Sequence, residues 1–190
     1  MPPLQRIGVK FAVVGGMAVS YRTVERFTKD VDLAIAVEND AEAEIAVRAI
    51  TESGYFVDTV IEQEAVERLS TVRMVPFGDR EMFVDLLFAS SGIESEVVSS
   101  ATNAEIAQGL VVPVASITSL IALKVLSANW KRRPQDVLDL QQLISSANDA
   151  EITEARQFLT LIEQRGYNRN KDLQAELTRY MSDFRSSEIC

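Results

Sequence analysis

Residues 13–36 read VVGGMAVSYRTVERFTKDVDLAIA, and their order decides how the rest of the chain is read. An apolar run ends in Gly15-Gly16, a helix-like stretch follows to Glu25, and a second apolar run opens on Asp30-Val31-Asp32. Side chains two apart on a strand share a face, so Asp30 and Asp32 present two carboxylates side by side among Val31, Leu33 and Ile35. Two anions at the end of a buried strand repel unless a cation or a proton relieves them. A hard divalent ion held by oxygen ligands, Mg²⁺ or Mn²⁺, is the natural relief, and Mg²⁺ combines a few carboxylates with substrate phosphates. The glycine pair permits a tight turn and close approach of a ligand to the backbone, and the helix N-terminus beyond it favours anions. Either feature alone is ordinary turn chemistry. In this order, on a strand–helix–strand pattern, they predict a site for metal and phosphate.

Composition narrows the chemistry further. The 190 residues contain no histidine, which removes Ser-His-Asp triads, Cys-His nucleophiles and ordinary His/Cys zinc sites. Acid–base work must fall to carboxylates, lysine, tyrosine or metal-bound water. The one cysteine, Cys190, has no internal partner for a disulfide. Apolar residues make up 47% and charged residues 25%, ordinary for a globular protein with a real core. No apolar run reaches the roughly 18 residues of a membrane span, and the N-terminus lacks a signal-peptide apolar region, so a cytoplasmic protein is expected. The net charge of −9 argues against extended DNA binding. Two local basic clusters stand against that balance, Lys131-Arg132-Arg133 and Arg165 to Lys171.

Along the chain, Val9 to Val14 reads as a strand buried on both faces, and Gly16 to Glu25 as a short helix. Arg22 and Arg26 precede the Asp pair, as surface charge or as guanidinium forks for triphosphate oxygens. After the Val31–Val37 strand, Glu38-Asn39-Asp40 caps a helix to about Ser53, with Gly54 as its stop. Tyr55 to Ile61 reads as a short strand and Glu62 to Arg68 as an acidic connector or half-helix. Ser70 to Val75 and Glu81 to Phe88 form a hairpin about Pro76-Phe77-Gly78-Asp79. In its return strand Asp85 is one charge inside an apolar run, costly unless ion-paired or metal-bound; as a ligand it joins Asp30 and Asp32. Ser90 to Ala101 is a marginal helix, and Ile106 to Val114 a last edge strand with Pro113 near its end.

Ser116 then opens a helix to about Trp130. At 100° per residue, Leu120, Ile121, Val125 and Ala128 share an arc with Ile117, and Lys124 stands at its centre. Such a lysine either snorkels past its neighbours or is aimed at an anion in a cleft. The next helix, Gln135 to Ala147, has an apolar face of Val137, Leu140, Leu143, Ile144 and Ala147, with Asp136 inside the arc and Asp139 at its edge. Asp149 to Tyr180 makes two amphipathic helices broken at Gly166-Tyr167-Asn168.

Val14-Gly15-Gly16 followed by Arg26-Phe27-Thr28-Lys29-Asp30-Val31-Asp32-Leu33 resembles the nucleotidyltransferase signature of the DNA polymerase β superfamily. More narrowly, it is similar to the AbiEii-type toxins and related minimal nucleotidyltransferases, with their Gly-Gly or Gly-Ser turn and Arg-x-Thr-x-Asp-x-Asp run. Leu120 to Lys124 and Arg133 to Leu140 resemble later family motifs, in which a helical lysine precedes an arginine and an Asp-x-x-Asp segment. The resemblance spans roughly Lys10 to Leu143. It implies transfer of a nucleoside monophosphate from an NTP to an acceptor hydroxyl, with a metal on three acidic residues. Residue by residue, it implies metal ligation by Asp30, Asp32 and Asp85, and nucleotide binding by Gly15, Gly16, Arg26, Thr28 and Lys124. Lys124 and Asp136 would join the three aspartates as catalytic groups, with Asp136 or Asp139 as the fourth acidic residue.

The expected acceptor is a tRNA 3′ end or a protein hydroxyl, and the expected partner a cognate antitoxin. The rival is a non-catalytic member that binds nucleotide or a partner. Gly16 replaces a serine that many superfamily members use, so a hydroxyl contact to phosphate is absent there. The expected fold is α+β (α/β): a nucleotidyltransferase-like mixed β-sheet flanked by helices, with a core over 1–115 and a helical segment over 116–190.

Overall fold

A computed structural model describes residues 3–64, 66–79 and 81–187; Cys190 lies outside them. After a short helix α1 (Pro3–Arg6) come β1 (Phe11–Val14), α2 (Gly15–Arg22) and β2 (Asp30–Ile35), so the decisive stretch folds as strand–helix–strand. There follow α3 (Asp40–Thr51), β3 (Tyr55–Gln63), β4 (Arg68–Pro76), β5 (Phe83–Leu87) and α4 (Glu94–Ser99). The chain continues through β6 (Thr102–Ala107), β7 (Leu110–Val114), α5 (Ile117–Ser127), α6 (Pro134–Ser146), α7 (Asp149–Gln164) and α8 (Leu173–Ser187).

Seven strands form one mixed sheet in the order β3-β4-β5-β2-β1-β7-β6. The β2–β5 and β1–β7 pairs are parallel and the other pairs antiparallel. Every residue of β1 is buried, as its unbroken apolar run requires. Helix ends follow local rules: Asn39 and Ser116 cap α3 and α5, Asn148 and Glu151 form a capping box on α7, and Pro134 opens α6. Helix α5 is buried nearly all round, packed against α6, α7, α8 and α2. Buried side chains of the sheet and of α5 to α8 belong to one apolar cluster.

Two segments differ from the sequence expectation. The single edge strand over Ile106–Val114 is instead the hairpin β6–β7, with β7 inside the sheet and β6 at the edge. Edge strand β6 is mostly exposed and polar, so it carries none of the apolar alternation that marks a strand. The connector over Glu62–Arg68 shrinks because β3 continues to Gln63 and β4 begins at Arg68. There Arg68 Nε donates to Asp40 Oδ1 at 2.7 Å and Leu69 N to Asp40 Oδ2 at 3.1 Å, tying the strand to the start of α3.

Candidate active site

Register builds the site. Asp32 of β2 is the partner of Val14 on β1 and of Asp85 on β5, and Asp85 is the partner of Arg73 on β4. Cross-strand partners share a face, so Arg73, Asp85 and Asp32 form a row across the sheet, with Asp30 two residues before Asp32 on the same face. The row opens on a cleft of about 450 Å³ whose walls include Gly15, Asp32, Asp85, Lys124, Arg133 and Asp136. Five residues singled out from sequence thus meet in one cavity. Arg26 and Thr28 line a neighbouring depression with Met17, Tyr21 and Phe27.

Gly15 is required twice over. Its φ is +63°, and a Cβ there would stand 1.8 Å from Asp32 Oδ2. The turn therefore presses against the Asp32 carboxylate and starts α2 beside it. Val14, the N-cap of α2, supplies no side-chain cap, which leaves the first-turn amides uncapped beside the cleft.

Gly16 has a different reason. A Cβ there would meet Arg26 Nη2 at 2.7 Å and Thr28 Oγ1 at 3.0 Å. Arg26 is fixed in that place by a two-pronged ion pair with Asp139, Nε to Oδ1 at 3.0 Å and Nη2 to Oδ2 at 2.9 Å. A serine at this turn has no room while that pair stands. Gly16→Ser should consequently lower stability by about 1–3 kcal/mol, the usual cost of overpacking. In a thermal melt this appears as a fall of roughly 2–12 °C; an unchanged melt would show that Arg26 yields freely.

Electrostatics centre on two carboxylates. Burial, then the neighbouring Asp85, push the Asp32 pKa up to about 6; Lys124 opposes them, while Asp30 and Asp136 add to the rise. The row is short of positive charge at Asp32. Asp139 shows the opposite balance: burial raises its pKa, but hydrogen bonds from Lys124, Gln135 and Arg26 prevail and hold it below the ordinary carboxylate value. Lys124, only 7% exposed, bridges Asp136 Oδ1 at 2.5 Å and Asp139 Oδ2 at 2.8 Å. The lysine at the centre of the apolar stripe is aimed at anions.

The structure adds detail to two expectations. Asp139, placed by periodicity at the edge of the apolar arc, is fully buried, whereas Asp136 faces the cleft. The reason is that Asp139 meets Arg26 and Lys124 behind the cleft wall. Second, Asp30, Asp32 and Asp85 are not a ready metal cage: among the described residues no group of three or more acidic, His or Cys side chains is gathered to hold an ion. Both Asp85 oxygens are occupied by Arg73, Nε to Oδ1 at 2.8 Å and Nη2 to Oδ2 at 2.7 Å. Sequence reasoning did not find Arg73, which alternates with Val72 and Met74 like any solvent-facing strand residue. The ion-pair alternative for Asp85 is thus realised, on the same row that carries the ligand alternative. The donor set still fits a hard divalent cation, because three carboxylates share one face and the elevated Asp32 pKa marks the charge such a cation would relieve.

A mixed sheet thus carries a glycine turn pressed against a strand aspartate, with a second aspartate in register beside it. The chain belongs to the AbiEii family: the family model described as nucleotidyl transferase AbiEii toxin, type IV toxin–antitoxin system, matches residues 4–189. A search of curated proteins finds no match. Among solved structures, the fold is similar to ANT(2″)-Ia in complex with adenylyl-2″-tobramycin, with TM-score 0.55, 14% identity, and coverage of 86% of this chain and 92% of that one. It is also similar to an antigenic nucleotidyltransferase-like protein from Paracoccidioides brasiliensis, with TM-score 0.50, 19% identity, and coverage of 92% and 87%. Among the described residues no helix is long and apolar enough to cross a membrane.

Proposed function

We propose that this nucleotidyltransferase moves a nucleoside monophosphate from an NTP to an acceptor hydroxyl, on a tRNA 3′ end or a protein, as the toxin of a toxin–antitoxin pair. The observation that carries this reading is the register of Asp32 with Asp85 beside the Gly15 turn. Residues 1–115 would form the catalytic core and 116–190 the helical segment that completes it. Mg²⁺ or Mn²⁺ on Asp30, Asp32 and Asp85 would neutralise phosphate charge and make the acceptor hydroxyl more acidic.

The chain's own groups supply the rest. The amides of Gly15 and Gly16 at the start of α2 hold phosphate oxygens. Lys124 offsets charge on the leaving pyrophosphate by exchanging its bond to Asp136, the partner that faces the cleft. Arg26 and Thr28 flank the triphosphate from the Gly16 side, with Arg26 holding the turn through Asp139. Asp85 accepts the acceptor proton once Arg73 releases it, and the fixed cleft aligns the two substrates.

The test uses each of the four α-³²P-labelled NTPs with Mg²⁺ and either total tRNA or cell lysate. Label on tRNA or on protein is expected and names the acceptor, and Asp30→Asn should abolish it while the protein still melts cooperatively. No label from any NTP, despite nucleotide binding, would overturn catalysis in favour of a non-catalytic nucleotide-binding member.

A further inference from the structure

One cation in the cleft comes from the basic cluster Arg165 to Lys171, which the proposed reaction leaves without a role. Arg169 lies in the turn between α7 and α8 and lines the same cleft as Gly15, Asp32, Asp85 and Lys124. Its neighbours there are committed: Arg73 to Asp85, Lys124 to Asp136 and Asp139, and Arg133 to Asp136 at 3.5 Å. Arg169 has a single hydrogen bond, from Nη2 to the Ser90 carbonyl at 3.3 Å, and no carboxylate within ion-pair distance among the described residues. A guanidinium carries five N–H donors, so most remain available. The side chain is open to solvent in the cleft, yet surrounding protein and the neighbouring Arg133 lower its pKa, with Glu94 and Asp136 opposing. An anion would relieve that unfavourable balance.

The turn is built to hold it there. Arg169 and its neighbour Asn170 have φ of +54° and +59°, a left-handed conformation that costs a non-glycine residue and persists only where the surroundings enforce it. The enforcement comes from both sides. Arg165 pairs with Glu96 at 2.6 Å and donates to the Gly92 carbonyl at 2.5 Å, fixing the turn to the start of α4. Lys171 donates to the carbonyls of Leu126 and Ala128 at 2.8 and 3.1 Å, fixing it to the end of α5. The Ser90–Ser91 loop that receives Arg169 is held in turn by buried Glu94, which accepts from both backbone amides and the Ser91 hydroxyl.

We infer that Arg169 is the triphosphate clamp of this enzyme, a binding residue from the C-terminal helical segment that grips the terminal phosphates of the NTP. The assignment rests on the proposed nucleotidyl transfer and adds a residue to it. It gives the segment after residue 150 a direct part in substrate binding.

The test measures affinity of the full chain for inorganic tripolyphosphate with Mg²⁺, for the four NTPs, and for AMP. Arg169→Gln should weaken tripolyphosphate and NTP binding by about ten- to hundredfold, the range for a lost charged hydrogen bond, and leave AMP within twofold. Arg169→Lys should recover part of the loss, because the charge returns without the fork. Arg169→Gly should melt no lower than the wild type, since glycine accepts the left-handed backbone, and still lose tripolyphosphate. Unchanged tripolyphosphate affinity in Arg169→Gln, or an equal loss for AMP, would overturn the assignment and leave nucleotidyl transfer standing. So would a loss confined to the KM for an RNA acceptor. A wild type that binds neither tripolyphosphate nor any NTP would overturn both.

Discussion

Asp32→Asn should abolish nucleotidyl transfer, by about a thousandfold or more, and at the same time make the metal-free protein more stable. The two effects share one cause. Burial and the nearby Asp85 raise the Asp32 pKa to about 6 from an ordinary 3.8, so the ionised form carries a penalty of about 3 kcal/mol in the fold. The folded protein holds the Asp32 proton more tightly than the unfolded chain does, so wild-type stability falls as pH rises from about 4 through about 6 and is level above. Asparagine keeps the shape that Gly15 is built against and removes the charge. The expected gain is about 1–3 kcal/mol at pH 7–8, or roughly 2–12 °C in the melt, and it should vanish below pH 4. Melts across pH 3–8 in a chelating buffer, beside a transfer assay, check both halves. A variant that melts lower than the wild type at pH 8, or retains transfer, would show that Asp32 is an ordinary structural carboxylate.

Asp139→Ala should be the most damaging single change to stability. The carboxylate is fully buried and holds two cations, Arg26 and Lys124, with Gln135 as a third donor. Removing one member of a buried ionic set leaves the others uncompensated, at a cost of about 3–5 kcal/mol. For a chain of this size the melt should fall by roughly 6–20 °C. Because hydrogen bonds hold the Asp139 pKa below its ordinary value, its contribution is present above about pH 4 and is lost as pH falls further. The gap between wild type and variant should therefore be widest near neutrality and close in acid. Denaturant unfolding at pH 7 and pH 3 measures both limits, and a gap that is constant with pH would assign the loss to packing instead of charge.

How far these groups can be read from sequence depends on whether their meaning is local. Asp32 and Asp85 stand out because each interrupts an apolar run, and Asp30 because it opens one two residues before Asp32; such anomalies need no partner to be seen. Gly15 and Gly16 mark the turn, although the reason for Gly16, the Arg26 guanidinium against its Cα, depends on a contact with Asp139 across the fold. Arg73 is invisible because β4 alternates normally, and only the β4–β5 register puts it opposite Asp85. Asp136 and Asp139 are three residues apart on one helix, only about 60° in angle; the placement of Lys124 and Arg26 decides which is buried. Strand β6 escapes for want of an apolar face; Arg169 shows only as part of the basic cluster Arg165 to Lys171, because its left-handed backbone and its place in the cleft depend on the fold.

The Arg26–Asp139 pair joins residues 113 positions apart in the chain. As synthesis proceeds from the N-terminus, the glycine turn and the strand aspartates emerge long before the helix that locks Arg26. Contacts of such long sequence separation close slowly, because the intervening loop must first be ordered. A nascent chain halted before α6 would carry every motif of the first strands with Arg26 and Gly16 unsupported. Timing of maturation thus follows from topology: the turn cannot be locked until α6 has emerged.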